Sequence, residues 1–193
     1  MERLNNLAIL ILAAGSSSRL GEPKQLIKHK RETLIKNAVK KALKIAGNVF
    51  VVLGHEKEKC EKELEEFKTL NILYNKDYKK GIGTSISLGI SYTKYFENTI
   101  ILLADQPLIP IKHLNSLKNK IDNKSIIASI YEDNINPTVP AIFPKKYYEK
   151  LLKLNEDKGA KEILKKEKCI KVQLNKKFTI DIDTIEDVKN FLS

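Results

Sequence analysis

The stretch from Leu7 to Leu26, LAILILAAGSSSRLGEPKQL, constrains this chain more than any other. Leu7 to Leu12 is an unbroken apolar run, the pattern of a strand buried on both faces. It ends in Ala13, Ala14 and Gly15, which are too small to hold a ligand away from the backbone. Ser16, Ser17 and Ser18 then bring hydroxyls, Arg19 and Lys24 bring fixed positive charge, and Pro23 stiffens the turn. A buried strand opening into a small, hydroxyl-rich, dibasic loop suits a polyphosphate. Backbone N–H groups can approach its oxygens, and the cations offset charge that builds as a phosphoryl bond breaks. Two better-known phosphate loops are excluded. A Walker A loop needs Lys followed by Ser or Thr, whereas Lys24 precedes Gln25. The dinucleotide fingerprint needs three glycines, and only Gly15 and Gly21 are present. The competing reading is a Ser-rich turn with Arg19 and Lys24 merely solvated.

Downstream, apolar periodicity alternates between helix and strand. Thr33 to Ile45 has Leu34, Ile35, Ala38, Val39, Ala42 and Leu43 at helical spacing, ended by Gly47-Asn48. Val49 to Leu53 reads as a strand, Glu56 to Phe67 as a charged outer helix, and Leu70 to Tyr74 as a third strand. That order predicts a three-layer α/β domain with a largely parallel sheet. Lys80 to Ile90, KGIGTSISLGI, frees the backbone at Gly81 and Gly83, with Thr84 or Ser85 as cap of the next helix. Such a helix start would offer unpaired N–H groups to a phosphate or a base carbonyl, although a plain Gly-turn explains it as well.

Two acidic sites stand out. Thr99 to Ala104, the most apolar strand, runs into Asp105-Gln106-Pro107. A carboxylate there sits where open α/β sheets bind ligands, and burying it calls for a counter-cation. Mg²⁺ suits it, because that ion takes one or two carboxylates plus phosphate oxygens. The alternative is Asp105 as cap of the helix near Pro110, continuing over Ile111 to Ile121. Near the C-terminus, IDIDTIEDV places Asp181 and Asp183 on one face of an extended segment. Thr184 and Asp187 form a capping box, which leaves the two same-face carboxylates unexplained unless a metal or a base lies between them.

Between these sites, Ser125 to Ile130 reads as a strand and Tyr131 to Thr138 as a polar loop, a lid or acceptor wall. Tyr147 to Leu154 reads as a helix, and Asp157 as a cap of the one after it.

LAAGSSSRLGEPKQL resembles the N-terminal motif of nucleotidyltransferases, closest to the branch with the molybdenum cofactor cytidylyltransferases and guanylyltransferases. ADQP and the Asp-x-Asp-Thr tail extend the likeness. The resemblance departs at two places. Asn136, Pro137 and Thr138 stand where the family has a glycine, and Glu156 and Lys161 replace a glycine and an arginine around Asp157, Gly159 and Ala160, where the resemblance implies a substrate role for Asp157 as the alternative to the cap. It implies a three-layer α/β/α Rossmann-like nucleotide-diphospho-sugar transferase fold, GT-A-like, with a mainly parallel mixed sheet in one domain over residues 1–193. Arg19, Lys24 and Asp105 would be catalytic, and Ala13, Ala14, Gly15 and Ser85 would shape the nucleotide pocket. Asp105 with Asp183 or Asp181 would hold Mg²⁺, Asp183 being favoured. The implied reaction moves a nucleoside monophosphate from a nucleoside triphosphate, CTP first, to a phosphorylated acceptor, molybdopterin, with transient contact with a molybdoenzyme or its chaperone. Guanylyl transfer, a sugar- or polyol-phosphate acceptor, and a non-catalytic cofactor carrier are the other readings.

Composition narrows the classes further. The formal charge of +11 comes from lysines spread through nearly every segment and interleaved with glutamate, as in KEILKKEK. That is a solvated surface favouring anionic ligands rather than a nucleic-acid groove with clustered cations and aromatics. Cys60 and Cys169 lack metal-ligand spacing and read as free cytoplasmic thiols. No apolar run approaches the ~20 residues of a membrane span, and MERLNN lacks a secretion signal.

Overall fold

The apolar run after the N-terminus becomes a strand, β1 (Leu7–Ala13), buried along its whole length. The structure is a computed structural model that describes residues 6–17, 20–131 and 134–192. After β1 come a small ribbon of β2 (Lys28–His29) and β3 (Glu32–Thr33), then α1 (Leu34–Leu43), β4 (Asn48–Leu53), α2 (Lys57–Leu64) and β5 (Asn71–Tyr74). The chain continues through α3 (Ile82–Thr93), β6 (Asn98–Leu103), α4 (Ile111–Lys118), β7 (Ile126–Tyr131) and β8 (Asn134–Pro144). It ends with α5 (Tyr148–Leu152), α6 (Lys161–Lys166), β9 (Cys169–Leu174) and α7 (Ile185–Phe191).

Seven strands form one sheet in the order β5-β4-β1-β6-β8-β7-β9. β8 runs antiparallel to both of its neighbours, and every other pairing in that sheet is parallel. Alternation along β1 divides the core. Leu7, Ile9 and Ile11 share one apolar cluster with Ile35, Val39, Cys60, Leu64, Leu114 and Leu117 from α1, α2 and α4. Ala8, Leu10 and Leu12 share the other with Ile86, Ile90, Leu151 and Ile163 from α3, α5 and α6. The result is the expected three-layer α/β/α architecture with a mixed, mainly parallel sheet. From β1 the chain steps out to β4 and β5, then returns to β6 on the other side. That reversal puts the ends of β1 and β6 at a topological switch point, where open α/β sheets form their binding crevice.

Several expectations are corrected. The segment expected as a loop over Tyr131 to Thr138 is largely strand β8, because Ala141, Ile142 and Phe143 are fully buried and pull the segment into the sheet. Pro137 and Pro140 are accommodated where the pairing with β7 slips, between Ala128 and Ser129 and again between Ser129 and Tyr131. α3 starts at Ile82 with Gly81 before it, so neither Thr84 nor Ser85 is its cap. Gly81 has φ +123°, and a Cβ there would lie 2.3 Å from the Glu156 backbone. A Cβ on Gly83 would lie 2.6 Å from the Asn155 carbonyl oxygen. These two glycines let the start of α3 press onto the 155–157 turn. Ala160 precedes α6, so Asp157 is not its cap, and Pro110 rather than Asp105 precedes α4. The β2–β3 ribbon and β9 add elements beyond the sequence reading.

Candidate active site

The loop leaving β1 and the loop leaving β6 meet at the carboxyl edge of the sheet, where Asp105 lies two residues beyond the end of β6. Its side chain is only 13% exposed. Lys24, on the short turn Lys24–Leu26, reaches across with its ammonium bonded to Asp105 Oδ2 and 3.1 Å from Asp183 Oδ1. Burial works against that charge, and the charges and hydrogen bonds of Asp105 and Asp183 outweigh it, raising the Lys24 pKa. Asp105 Oδ1 is buried without a hydrogen-bond partner among the described residues.

The C-terminal segment supplies the other carboxylates. Ile182 N–H donates to the Asp105 carbonyl at 3.0 Å, and the Ile182 side chain is fully buried with Leu20, Ile27, Leu34 and Leu192. With Ile182 turned inward, Asp181 and Asp183 on either side of it reach the site. Thr184 and Asp187 form the expected capping box, and Asp187 Oδ2 also accepts from the Asp183 N–H at 3.1 Å. Asp181 accepts from Gln106 Nε2 at 2.8 Å. As a residue Asp181 stays exposed, yet the protein packed around its carboxyl, then Asp105 and Asp183, push that carboxyl above its usual range. The Gln106 amide and Lys24 oppose this rise.

Two hollows adjoin at this edge and share Leu12, Ile82, Leu103 and Asp157. The first, about 310 Å³, is lined by Ala13, Ala14, Gly15, Ser85, Lys24 and Asp105 among others. The second, about 410 Å³, has an apolar floor that includes Ile86, Ile101 and Val139, with Asn136, Thr138, Lys161 and Asp181 also lining it. Tyr131 lines it too, its hydroxyl raised in pKa chiefly by burial and secondarily by Asp181. So Asn136 to Thr138 do form a wall, although as strand rather than loop.

Gly15 has no left-handed φ, and a Cβ there would meet no described residue beyond its two chain neighbours within 4 Å. Neither backbone geometry nor packing asks for glycine at that position, whereas a ligand against the backbone would. Ser85 is buried in the first turn of α3, its Oγ accepting from Asn75 Nδ2 at 2.9 Å. The start of α3 offers less to an anion than its glycines promised. Gly83 N–H is bonded to the Glu156 carbonyl and Thr84 N–H to the Gly81 carbonyl.

Of the sequence-based site, the fold therefore brings together Ala13, Ala14, Gly15, Lys24, Ser85, Asp105, Asp181 and Asp183. Arg19 and Ser18 lie outside the described residues. The sequence reading missed Gln25, Asn75 and Gln106, of which Gln25 and Gln106 stand inside the PKQ and ADQP motifs that drew attention to their neighbours.

The site suits a divalent cation. It has a buried carboxylate oxygen without a partner among the described residues and a second carboxylate already held against the same positive charge. No group of three or more His, Cys, Asp or Glu among the described residues is placed to hold a metal. A pair of carboxylates completed by phosphate oxygens is the Mg²⁺ pattern, not that of a full protein cage.

Fold and site together define a nucleotide-type α/β protein whose crevice is built from a backbone-lined loop and paired carboxylates. The chain belongs to the MobA-like NTP transferase domain family, which matches residues 9–172. Asp181 and Asp183 lie beyond that span. The Bifunctional protein GlmU of Aliarcobacter butzleri is 33% identical over 128 residues, 65% of this chain and 28% of the relative. The chain thus spans little more than a quarter of the length of that curated relative. Rv0371c from Mycobacterium tuberculosis superposes with a TM-score of 0.86 at 20% identity, covering 97% of each chain. Its manganese complex gives 0.82 at 18% identity, over 97% of this chain and 98% of that one. A nucleotidyl transferase from Methanothermobacter thermautotroptrophicus gives 0.83 at 19%, over 97% and 96%. No helix among the described residues is long and apolar enough to cross a membrane.

Proposed function

We propose that residues 1–193 act as one cytoplasmic nucleotidyltransferase domain that transfers a nucleoside monophosphate from CTP to molybdopterin and releases pyrophosphate. One observation carries the reading: Lys24, bonded to Asp105 and Asp183, lines with Asp105 and the backbone of the first loop a hollow that adjoins a second one. A transfer enzyme needs that plan, one hollow for the nucleotide, a neighbouring one for the acceptor, and neutralising groups beside the phosphates. The nucleobase and the acceptor rest on the LAAG and PKQL likeness to the cytidylyltransferase branch.

An acceptor phosphate is ionised at neutral pH, so no covalent nucleophile is required. A bond forms from an acceptor phosphate oxygen to the α-phosphorus, and the bond from that phosphorus to the β-bridging oxygen breaks. Catalysis consists of alignment and charge neutralisation. Lys24 and Arg19 pair with the triphosphate and the leaving pyrophosphate, while Ala13, Ala14, Gly15 and Ser85 shape the nucleotide hollow. Asp105 and Asp183 would hold Mg²⁺, with Asp181 beside them. What Mg²⁺ supplies when bound is neutralisation of phosphate charge. The manganese complex of Rv0371c supports a divalent ion on this fold.

The deciding experiment is pyrophosphate release from CTP, GTP, ATP and UTP with Mg²⁺ and molybdopterin. CTP-selective release is expected. GTP selectivity would move the reading to guanylyl transfer. CTP–Mg²⁺ binding without release would replace molybdopterin by a sugar or polyol phosphate, and no nucleotide binding would return the chain to a carrier role.

A further inference from the structure

We propose that Gln25 is a positioning residue that aims the Gly15 and Ser16 N–H groups at the phosphates of the bound nucleotide; this rests on the nucleotide reading of the first hollow. Gln25 is only 2% exposed and sits one residue after Lys24 in the same short turn. Its Nε2 donates to the Gly15 carbonyl at 3.3 Å and to the His55 carbonyl at 3.2 Å. Both partners accept only, so the amide NH₂ faces them. The His55 N–H in turn donates to the Ala14 carbonyl at 3.2 Å.

These bonds fix more than carbonyls. In a trans peptide the C=O of one residue and the N–H of the next point in opposite directions. The one cis bond among the described residues is Val139–Pro140, so both peptides of the loop are trans. Tying the Ala14 carbonyl to His55 turns the Gly15 N–H the other way, and tying the Gly15 carbonyl to Gln25 does the same for the Ser16 N–H. Neither N–H has a hydrogen-bond partner among the described residues. Successive N–H groups aimed to one side make an anion-binding concavity. Gln25 also ties this loop and the His55 turn to the turn bearing Lys24, so backbone donors and ammonium are set in one frame. A donor already aimed costs less ordering when ligand arrives.

The test separates phosphate recognition from general packing. Wild type and Gln25→Met, nearly equal in volume, are titrated by calorimetry with CTP, inorganic tripolyphosphate and cytidine. Misaiming one hydrogen bond to a charged group should weaken CTP and tripolyphosphate about tenfold or more, with cytidine binding and the melting temperature little changed. Equal tripolyphosphate affinity in the folded variant would overturn the proposal. Should Gln25→Met not fold, Gln25→Asn, whose amide is one methylene short of both carbonyls, is titrated the same way. ¹⁵N-labelled wild type gives an arm free of variants, in which tripolyphosphate must shift the Gly15 and Ser16 amide resonances. If wild type binds tripolyphosphate and those amides stay still, only the proposal falls. If wild type binds neither CTP nor tripolyphosphate, the nucleotide reading falls with it.

Discussion

At Asp105 one carboxylate meets two demands, a salt bridge through Oδ2 and a buried Oδ1 with no partner among the described residues. An amide in its place could still accept from Lys24 but would carry no charge to hold a divalent ion. Asp105→Asn is therefore expected to keep the melting temperature within a few degrees and to lower turnover by about 10²-fold or more, as loss of a main electrostatic stabiliser does. Substantial turnover in that variant at saturating Mg²⁺ would remove the metal assignment. Gly15 makes a complementary case. Because no described residue beyond its two chain neighbours lies within 4 Å of a Cβ there, Gly15→Ala should leave stability within about 0.5 kcal/mol. The added methyl stands in the hollow that Gly15 lines, so CTP should bind about tenfold more weakly, a change read by calorimetry.

At the scale of elements, the antiparallel strand β8 is anchored by a buried polar chain. His113 on α4 has Nε2 2.8 Å from Ser129 Oγ on β7, and that hydroxyl donates to the Pro140 carbonyl on β8 at 2.7 Å. With its one hydrogen spent, Ser129 accepts from His113, so the proton is on Nε2. Burial lowers the His113 pKa to about 4, below the ordinary 6.5. Between those values the unfolded chain binds a proton that the folded chain refuses, so stability falls as pH drops from 6.5 toward 4, by about 3 kcal/mol at most. Urea unfolding at pH 7 and pH 5 should show this loss in wild type and a smaller one in His113→Gln; parallel losses would mean that His113 is not the titrating group. Nothing in the sequence around His113 announces this chain, because a lone histidine in a helix has no pattern until the fold supplies a serine. The same contrast runs through the molecule. Strands β1, β4 and β6 were legible because both faces are buried and their residues are almost uniformly apolar. β8 was not, because Asn134 to Pro140 carries turn chemistry and its pairing with β7 slips twice. Lys24, Asp105 and Asp183 were legible as charges in odd places, whereas Gln25 acts through carbonyls that leave no mark on side-chain types.

The whole molecule is closed by its C-terminal segment. The sheet ends with Leu174, and the family match ends at Val172, yet the carboxylate opposite Asp105 comes from residue 183. What brings it there is an apolar plug. Ile182 is fully buried against Leu20, Ile27 and Leu34, which flank the first loop, and its N–H is bonded to the carbonyl of Asp105 itself. Loop, strand end and tail thus form one unit, in which packing sets the distance between two like charges that would otherwise separate. Packing and chemistry can be divided by adjacent substitutions. Ile182→Ala removes buried apolar volume and should cost about 2–5 kcal/mol, read as a lower urea midpoint. Asp183→Asn keeps that packing, so its urea midpoint should stay near that of wild type while CTP turnover in Mg²⁺ falls by about tenfold or more. A tail that only packs would give the opposite result for Asp183→Asn, with wild-type turnover and the Ile182→Ala defect confined to stability.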